Sequence, residues 1–273
     1  MMARLGAVGL CYGYRALGSA LMAMPLAYAI GGSVAGHPRG DAVLWDRGGI
    51  WLLEALRLSQ ASLGPALVQG GALGVVVALG WLLPLGGLMA VHGAERPSLA
   101  TSLGRAAAKL PMLSVLFGVF LLIQALALAF FIGIGRLVAA PTATGDVLGL
   151  VLPVLCLPVW LAIVALHDAT RVAAILGDRG YASALDVGWL LLAARPGRTA
   201  LALLWRALVG VAVLFGAGWL TLSTLQGGRD ALALVVVIDQ LALLAIVLLR
   251  ASWIGWLAAE LPVTTAGIAE GAR

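Results

Sequence analysis

Six long stretches of the chain are almost wholly apolar, and short segments holding most of the charges separate them. They run at roughly 16 to 36, 63 to 91, 112 to 135, 147 to 167, 199 to 223 and 231 to 250. A helix needs about 20 apolar residues to cross the roughly 30 Å hydrocarbon layer, so each stretch is long enough to span it. Leu232 to Leu249 does not alternate between apolar and polar positions, as a strand of a membrane β-barrel has to. The pattern predicts an all-α, polytopic helix bundle forming a single transmembrane domain over residues 1–273. The first stretch has basic residues ahead of it and ends near Ala27-Tyr28-Ala29, as a signal peptide would, but is expected to be kept as a span.

Between the spans, three segments have the amphipathic period of helices lying in the membrane interface. After Pro97, Ser98 is placed to cap a helix with Leu99, Leu103, Ala106 and Leu110 on one face and Thr101, Arg105 and Lys109 off it. Tyr181, Leu185, Gly188 and Leu192 repeat that spacing, with Asp186 and Arg195 off the face and Pro196-Gly197 ending the helix. In the first loop Trp45, Trp51, Leu52, Ala55 and Leu56 oppose Arg47, Glu54 and Arg57, as in a Trp-anchored surface helix or a lid. Within the spans, Gly70, Gly71, Gly74, Gly210, Gly216 and Gly218 are expected to be packing faces, since small residues let helices approach closely in lipid. Pro84, Pro153 and Pro158 are expected to kink their helices.

Composition excludes a water-soluble protein: 62% of the residues are hydrophobic and 11% charged. The net charge of +5 reads as membrane anchoring and contact with anionic lipid rather than as a nucleic-acid footprint. Eleven basic residues fall on the side of the termini and five on the other, with Arg206 inside a span. By the positive-inside rule both termini are cytoplasmic, in a bacterial-type inner membrane. Cys11 and Cys156 lie far apart in apolar surroundings, so they predict neither a metal site nor a disulfide framework.

A repeat of hairpins is also expected. Val91-His92-Gly93-Ala94-Glu95-Arg96 and Leu166-His167-Asp168-Ala169-Thr170-Arg171 share the pattern His-x-Ala-x-Arg, and Arg250 takes the histidine's place at the end of the sixth span. The expected units are 1–92, 93–167 and 168–250, with a tail at 251–273. This layout of hairpins and amphipathic helices resembles uncharacterised bacterial six-helix membrane families, including the membrane domain attached to some glycerophosphodiester phosphodiesterases. The resemblance implies a membrane location. It does not carry the phosphodiesterase activity, whose soluble domain has no counterpart here.

The candidate chemistry lies in two places. His92, His167 and Arg250, with Arg96 and Arg171 one turn further on, form a candidate cytoplasmic ring for a lipid phosphate or another anion. They equally mark where helices leave the bilayer. Asp239 stands near the middle of the sixth span and Arg206 two turns into the fifth; placed antiparallel, their backbones would differ in depth by roughly 10 Å, within reach of a long side chain. They predict an intramembrane ion pair, or a proton or substrate site with Gln124 and Gln240 as neighbours, or a subunit interface. A haem held by His92 and His167 needs an apolar slot that the sequence does not specify, and no cofactor is expected. Asp168-Ala-Thr-Arg171 lacks the further carboxylates that a membrane phosphatidyltransferase motif requires, and no hydrolase or phosphate-loop signature is present. Two functions are expected: a non-catalytic scaffold or accessory subunit contacting lipids and other subunits or itself, and a small carrier or lipid-handling protein built around Asp239.

Overall fold

With no water in the hydrocarbon layer to satisfy peptide groups, an apolar chain has to close its hydrogen bonds within each segment. The computed structural model describes residues 2–39, 50–93, 97–138, 143–225 and 231–271, and among these there are nine helices and no strand. In chain order they are α1 (Met2–Val34), α2 (Ile50–Leu58), α3 (Gln60–Ala90), α4 (Leu99–Ala108), α5 (Leu110–Val138), α6 (Ala143–Leu176), α7 (Tyr181–Ala194), α8 (Pro196–Leu225) and α9 (Leu232–Gly271). Six of them, α1, α3, α5, α6, α8 and α9, are long and apolar enough to cross a membrane. The protein is an all-α, multi-pass bundle. Trp45, Arg47 and Arg96 lie outside the described residues.

The ends of the spans differ from expectation more than their number does. Helix α1 begins at Met2 rather than near residue 16, and α9 continues well past Arg250. A single Arg does not break a helix, so the charges that mark a membrane boundary in the sequence do not mark the helix ends. Helix α3 runs unbroken through Pro65 and Pro84.

The chain divides into two compact units: one of residues 1–85 and 206–251, the other of 86–205 and 252–273. Their boundaries fall inside the first and third expected hairpins, and the second, 93–167, lies whole within the second unit.

In the first unit α1 and α3 run antiparallel. The Cys11 thiol donates to the Pro84 carbonyl at 3.4 Å and the Tyr14 hydroxyl to the Val77 carbonyl at 2.9 Å. The Arg15 guanidinium lies over the Trp81 ring, 4.9 Å from its centroid. Gly18 is buried against Val77, where an added Cβ would come within 2.6 Å of a methyl. Gly70 and Gly74 face Met22 as packing glycines, and Gly210 faces Ile246 and Leu249, but Gly71, Gly216 and Gly218 have open space beside them. Helix α2 tucks Ala55 against Val34 and Ile30, and turns Glu54 and Arg57 outward as an exposed ion pair of 2.6 Å. That pairing holds the Glu54 carboxyl below its ordinary range.

The second unit holds the densest packing. Ser98 caps α4 as the sequence predicts, accepting from the Thr101 amide at 3.2 Å. Ser102 and Ala106 are its buried positions, and Gly86 and Gly87 of α3 leave the room that Ala106 and Leu103 fill. The face that helix α7 turns inward shares Gly188 with the one expected but is rotated from it. Ala184, Val187, Gly188 and Leu191 are buried, whereas Tyr181 and Leu185 are exposed. The reason is Gly188, at which a Cβ would stand 2.8 Å from the Thr170 backbone nitrogen on α6. Small residues allow that approach, and the bulky ones turn away. The stretch expected as a tail is core here: Trp253, Ile254, Leu257, Ala258 and Leu261 are buried.

Candidate functional site

Four buried polar groups of the second unit gather on one turn of α6. His167, Asp168, Thr170 and Arg171 are 7%, 1%, 0% and 5% exposed. Burying a carboxylate and a guanidinium is costly unless both are met by partners, and the fold supplies these from two neighbouring helices, α9 and α5. Trp253 of α9 donates its indole N–H to Asp168 Oδ2 at 3.0 Å. Arg171 Nη1 lies 4.0 Å from Asp168 Oδ1, and its guanidinium is 5.9 Å from the Phe117 ring centroid on α5. The His167 imidazole stacks on Phe120 of the same helix, with centroids 4.4 Å apart and planes 9° apart. Thr170 is closed in by Gly188, and its Oγ1 finds no hydrogen-bond partner among the described residues. The arrangement joins α5, α6, α7 and α9 through one sealed cluster.

His92 has the same sequence setting as His167 but a different structural one. It lies in the turn after α3, half-buried, with Nδ1 2.8 Å from the Leu88 carbonyl and its ring filling the space above Gly255. His167 stands inside a helix that continues to Leu176. Arg250 belongs to the first unit, so the candidate ring of His92, His167, Arg171 and Arg250 is divided between the two units. Among the described residues no three His, Cys, Asp or Glu side chains converge as metal ligands.

Two further sets of ion pairs fasten the second unit. Glu260 of α9 reaches Arg195 at 3.6 Å and Arg198 at 3.4 Å. Lys109, the C-cap of α4, pairs with Asp178, and its hydrogen bond holds the exposed Asp178 carboxyl below the usual range. Asp178 also has φ of 47°, the left-handed conformation that Asp tolerates better than most residues in a turn.

In the first unit Asp239 does not pair with Arg206. Its Oδ1 accepts a hydrogen bond from the Thr221 hydroxyl at 3.2 Å. That contact fixes the register of α8 against α9, and the packing of Gly210 on Ile246 and Leu249 agrees with it. Arg206 is fifteen residues before Thr221 (221 − 206 = 15), which at 1.5 Å per residue puts it about 22 Å down the helix rather than 10 Å. No Arg side chain bridges that gap. Asp239 is exposed, and Val236, Val237 and Leu241 beside it are 57%, 52% and 61% exposed. Gln240 accepts a 2.8 Å hydrogen bond from Tyr12 of α1. Gln124 is half-buried on α5 in the second unit.

Sequence reasoning missed Trp253, Phe117, Phe120 and Thr170. One signal was present. Ala251, Ile254, Leu257, Ala258 and Leu261 repeat at helical spacing beyond the sixth span. These features define a multi-pass helical membrane protein with a sealed polar cluster in one unit and an exposed carboxylate, Asp239, within a spanning helix of the other. Neither a family model nor a curated protein nor a solved structure matches the chain.

Proposed function

We propose that the chain is a non-catalytic scaffold or accessory subunit of a membrane complex, seated in a bacterial-type cytoplasmic membrane with both termini inside. The observation that carries this reading is the placement of its polar groups. The cluster at Asp168 is sealed, whereas Asp239 is exposed on the α8–α9 hairpin, met there by Thr221. A carrier centred on Asp239 needs that carboxylate on a polar path through the molecule. A subunit that binds neighbours needs apolar outer faces with few polar marks, and only 6% of the most apolar stretch of α8 and 11% of that of α5 are buried. The surrounding lipid, including anionic lipid, fills the remaining surface.

The test is extraction of the tagged chain from its own membrane into polymer-bounded lipid discs, followed by native mass spectrometry. A stoichiometric partner subunit is expected. A lone monomer, together with Asp239-dependent solute or proton flux in proteoliposomes, would replace this reading with the carrier.

A further inference from the structure

An accessory subunit has to recognise its neighbour, and Asp239 is the polar mark on its outer face best placed to do so; a docking site there rests on the accessory-subunit reading. The carboxylate is seven residues into α9 (239 − 232 = 7), and Thr221 is four residues before the end of α8 (225 − 221 = 4). At 1.5 Å per residue the pair sits about 6 to 10 Å from the end of the hairpin nearest its connection, within the apolar stretch. Near it on the same two helices, Val236, one turn before Asp239 on α9, is 57% exposed, and Leu222, next to Thr221 on α8, is 68% exposed. An ionised carboxylate has about four acceptor positions, and a single hydroxyl hydrogen bond from Thr221 engages one oxygen. Acidic residues at such depth face protein or water rather than acyl chains.

We propose that the exposed α8–α9 face around Asp239 docks a transmembrane helix of a different protein, and that this helix carries an Arg or Lys at matching depth. Charge complementarity selects the partner. A cation brings both Coulombic attraction and charge-assisted hydrogen bonds to the carboxylate, and Thr221 holds the acceptor in one orientation. A second copy of the chain fits poorly. Two copies in the same membrane orientation, meeting through this face about a twofold axis along the membrane normal, bring two carboxylates to the same depth.

The full-length chain is reconstituted in phosphatidylcholine vesicles with fluorescent poly-Leu transmembrane peptides. One peptide carries Arg at the depth of Asp239, one carries Arg near the opposite end, and one carries Leu only. Energy transfer reports association. The depth-matched Arg peptide is expected to associate about tenfold more tightly than the Leu peptide, the size of a strong interhelical polar contact in lipid. D239E keeps that preference, D239N loses it, and D239R transfers it to a peptide bearing Glu at the same depth. The charge reversal keeps the test decisive if D239N folds poorly. Equal association of Arg and Leu peptides overturns the proposal, as does a preference that survives D239N or self-crosslinking of a V236C chain through this face. In the native membrane, a complex that D239N leaves intact refutes this docking site alone, whereas a wild-type chain that migrates as a monomer refutes the accessory-subunit reading itself.

Discussion

At Gly188 α7 lies close against α6, and a single methyl there should lift one helix from the other. A Cβ built on it stands 2.8 Å from both the amide nitrogen and Oγ1 of Thr170 and 3.0 Å from the Thr170 Cα. Two of these are backbone atoms of a helix, so no rotamer change relieves the overlap. Gly188→Ala removes a helix-interior glycine, a gain of about 1 kcal/mol, and sets against it an overpacking cost of roughly 3 kcal/mol, the upper end for a rigid neighbour. The net expectation is a loss of about 2 kcal/mol. Gly104 is the control: it is exposed on α4 with nothing near its Cβ position, so Gly104→Ala should stabilise by up to about 1 kcal/mol. Both are read from unfolding in mixed micelles with increasing dodecyl sulfate, followed by tryptophan fluorescence. If Gly188→Ala matches or exceeds the wild type, or if adding Thr170→Ala fully restores stability, the backbone contact is not what limits the approach.

Three further outcomes are expected. Trp253→Phe keeps an aromatic ring and removes the indole N–H that meets the buried Asp168, so the same unfolding assay should show a loss of about 1.5 to 3 kcal/mol. The Asp178 carboxyl is lowered by Lys109; the tie is fully present above the carboxylate's unfolded pKa of about 3.9 and is lost as pH falls through the lower folded value. The protection of residues 177–181 against hydrogen exchange, taken relative to the intrinsic rate at each pH, should therefore fall at acid pH, and in Asp178→Asn it should be low already at neutral pH. Cysteines placed at Arg105 and Arg195 should both react with an impermeant reagent only in inside-out vesicles; labelling from the other face would reverse the orientation expected from the basic residues.

The helices were legible in the sequence because hydropathy and length alone decide whether a segment can cross a membrane. The cap at Ser98 was legible because its chemistry is local. The packing faces were not. In a soluble helix the polar side declares the surface, but lipid is as apolar as a protein core, so Tyr181 and Leu185 read as an inward stripe when the packed stripe is Ala184, Val187, Gly188 and Leu191. The same ambiguity hid which glycines pack: Gly218 has open space, and Gly86 lies under Ala106. Asp239 and Arg206 looked like a pair because hairpin register was read from the loop. Register is set by where α8 rests on α9, and Gly210 against Ile246 and Leu249 places Arg206 far from the carboxylate.

The enclosure of α6 bears on how the chain is made. Its spanning segment is less apolar than that of α5, and 56% of its most apolar stretch is buried against 11% for α5. A nascent α5 can leave the translocon for lipid unaided. Helix α6 emerges behind it bearing Asp168 and Arg171 and partitions poorly until something shields them. Phe117 and Phe120 are already in place on α5, and α7, the next segment synthesised, brings Gly188 onto Thr170 from the other side. Truncations ending before Tyr181 should therefore leave α6 waiting at the translocon, so that insertion of this span depends on the residues translated after it.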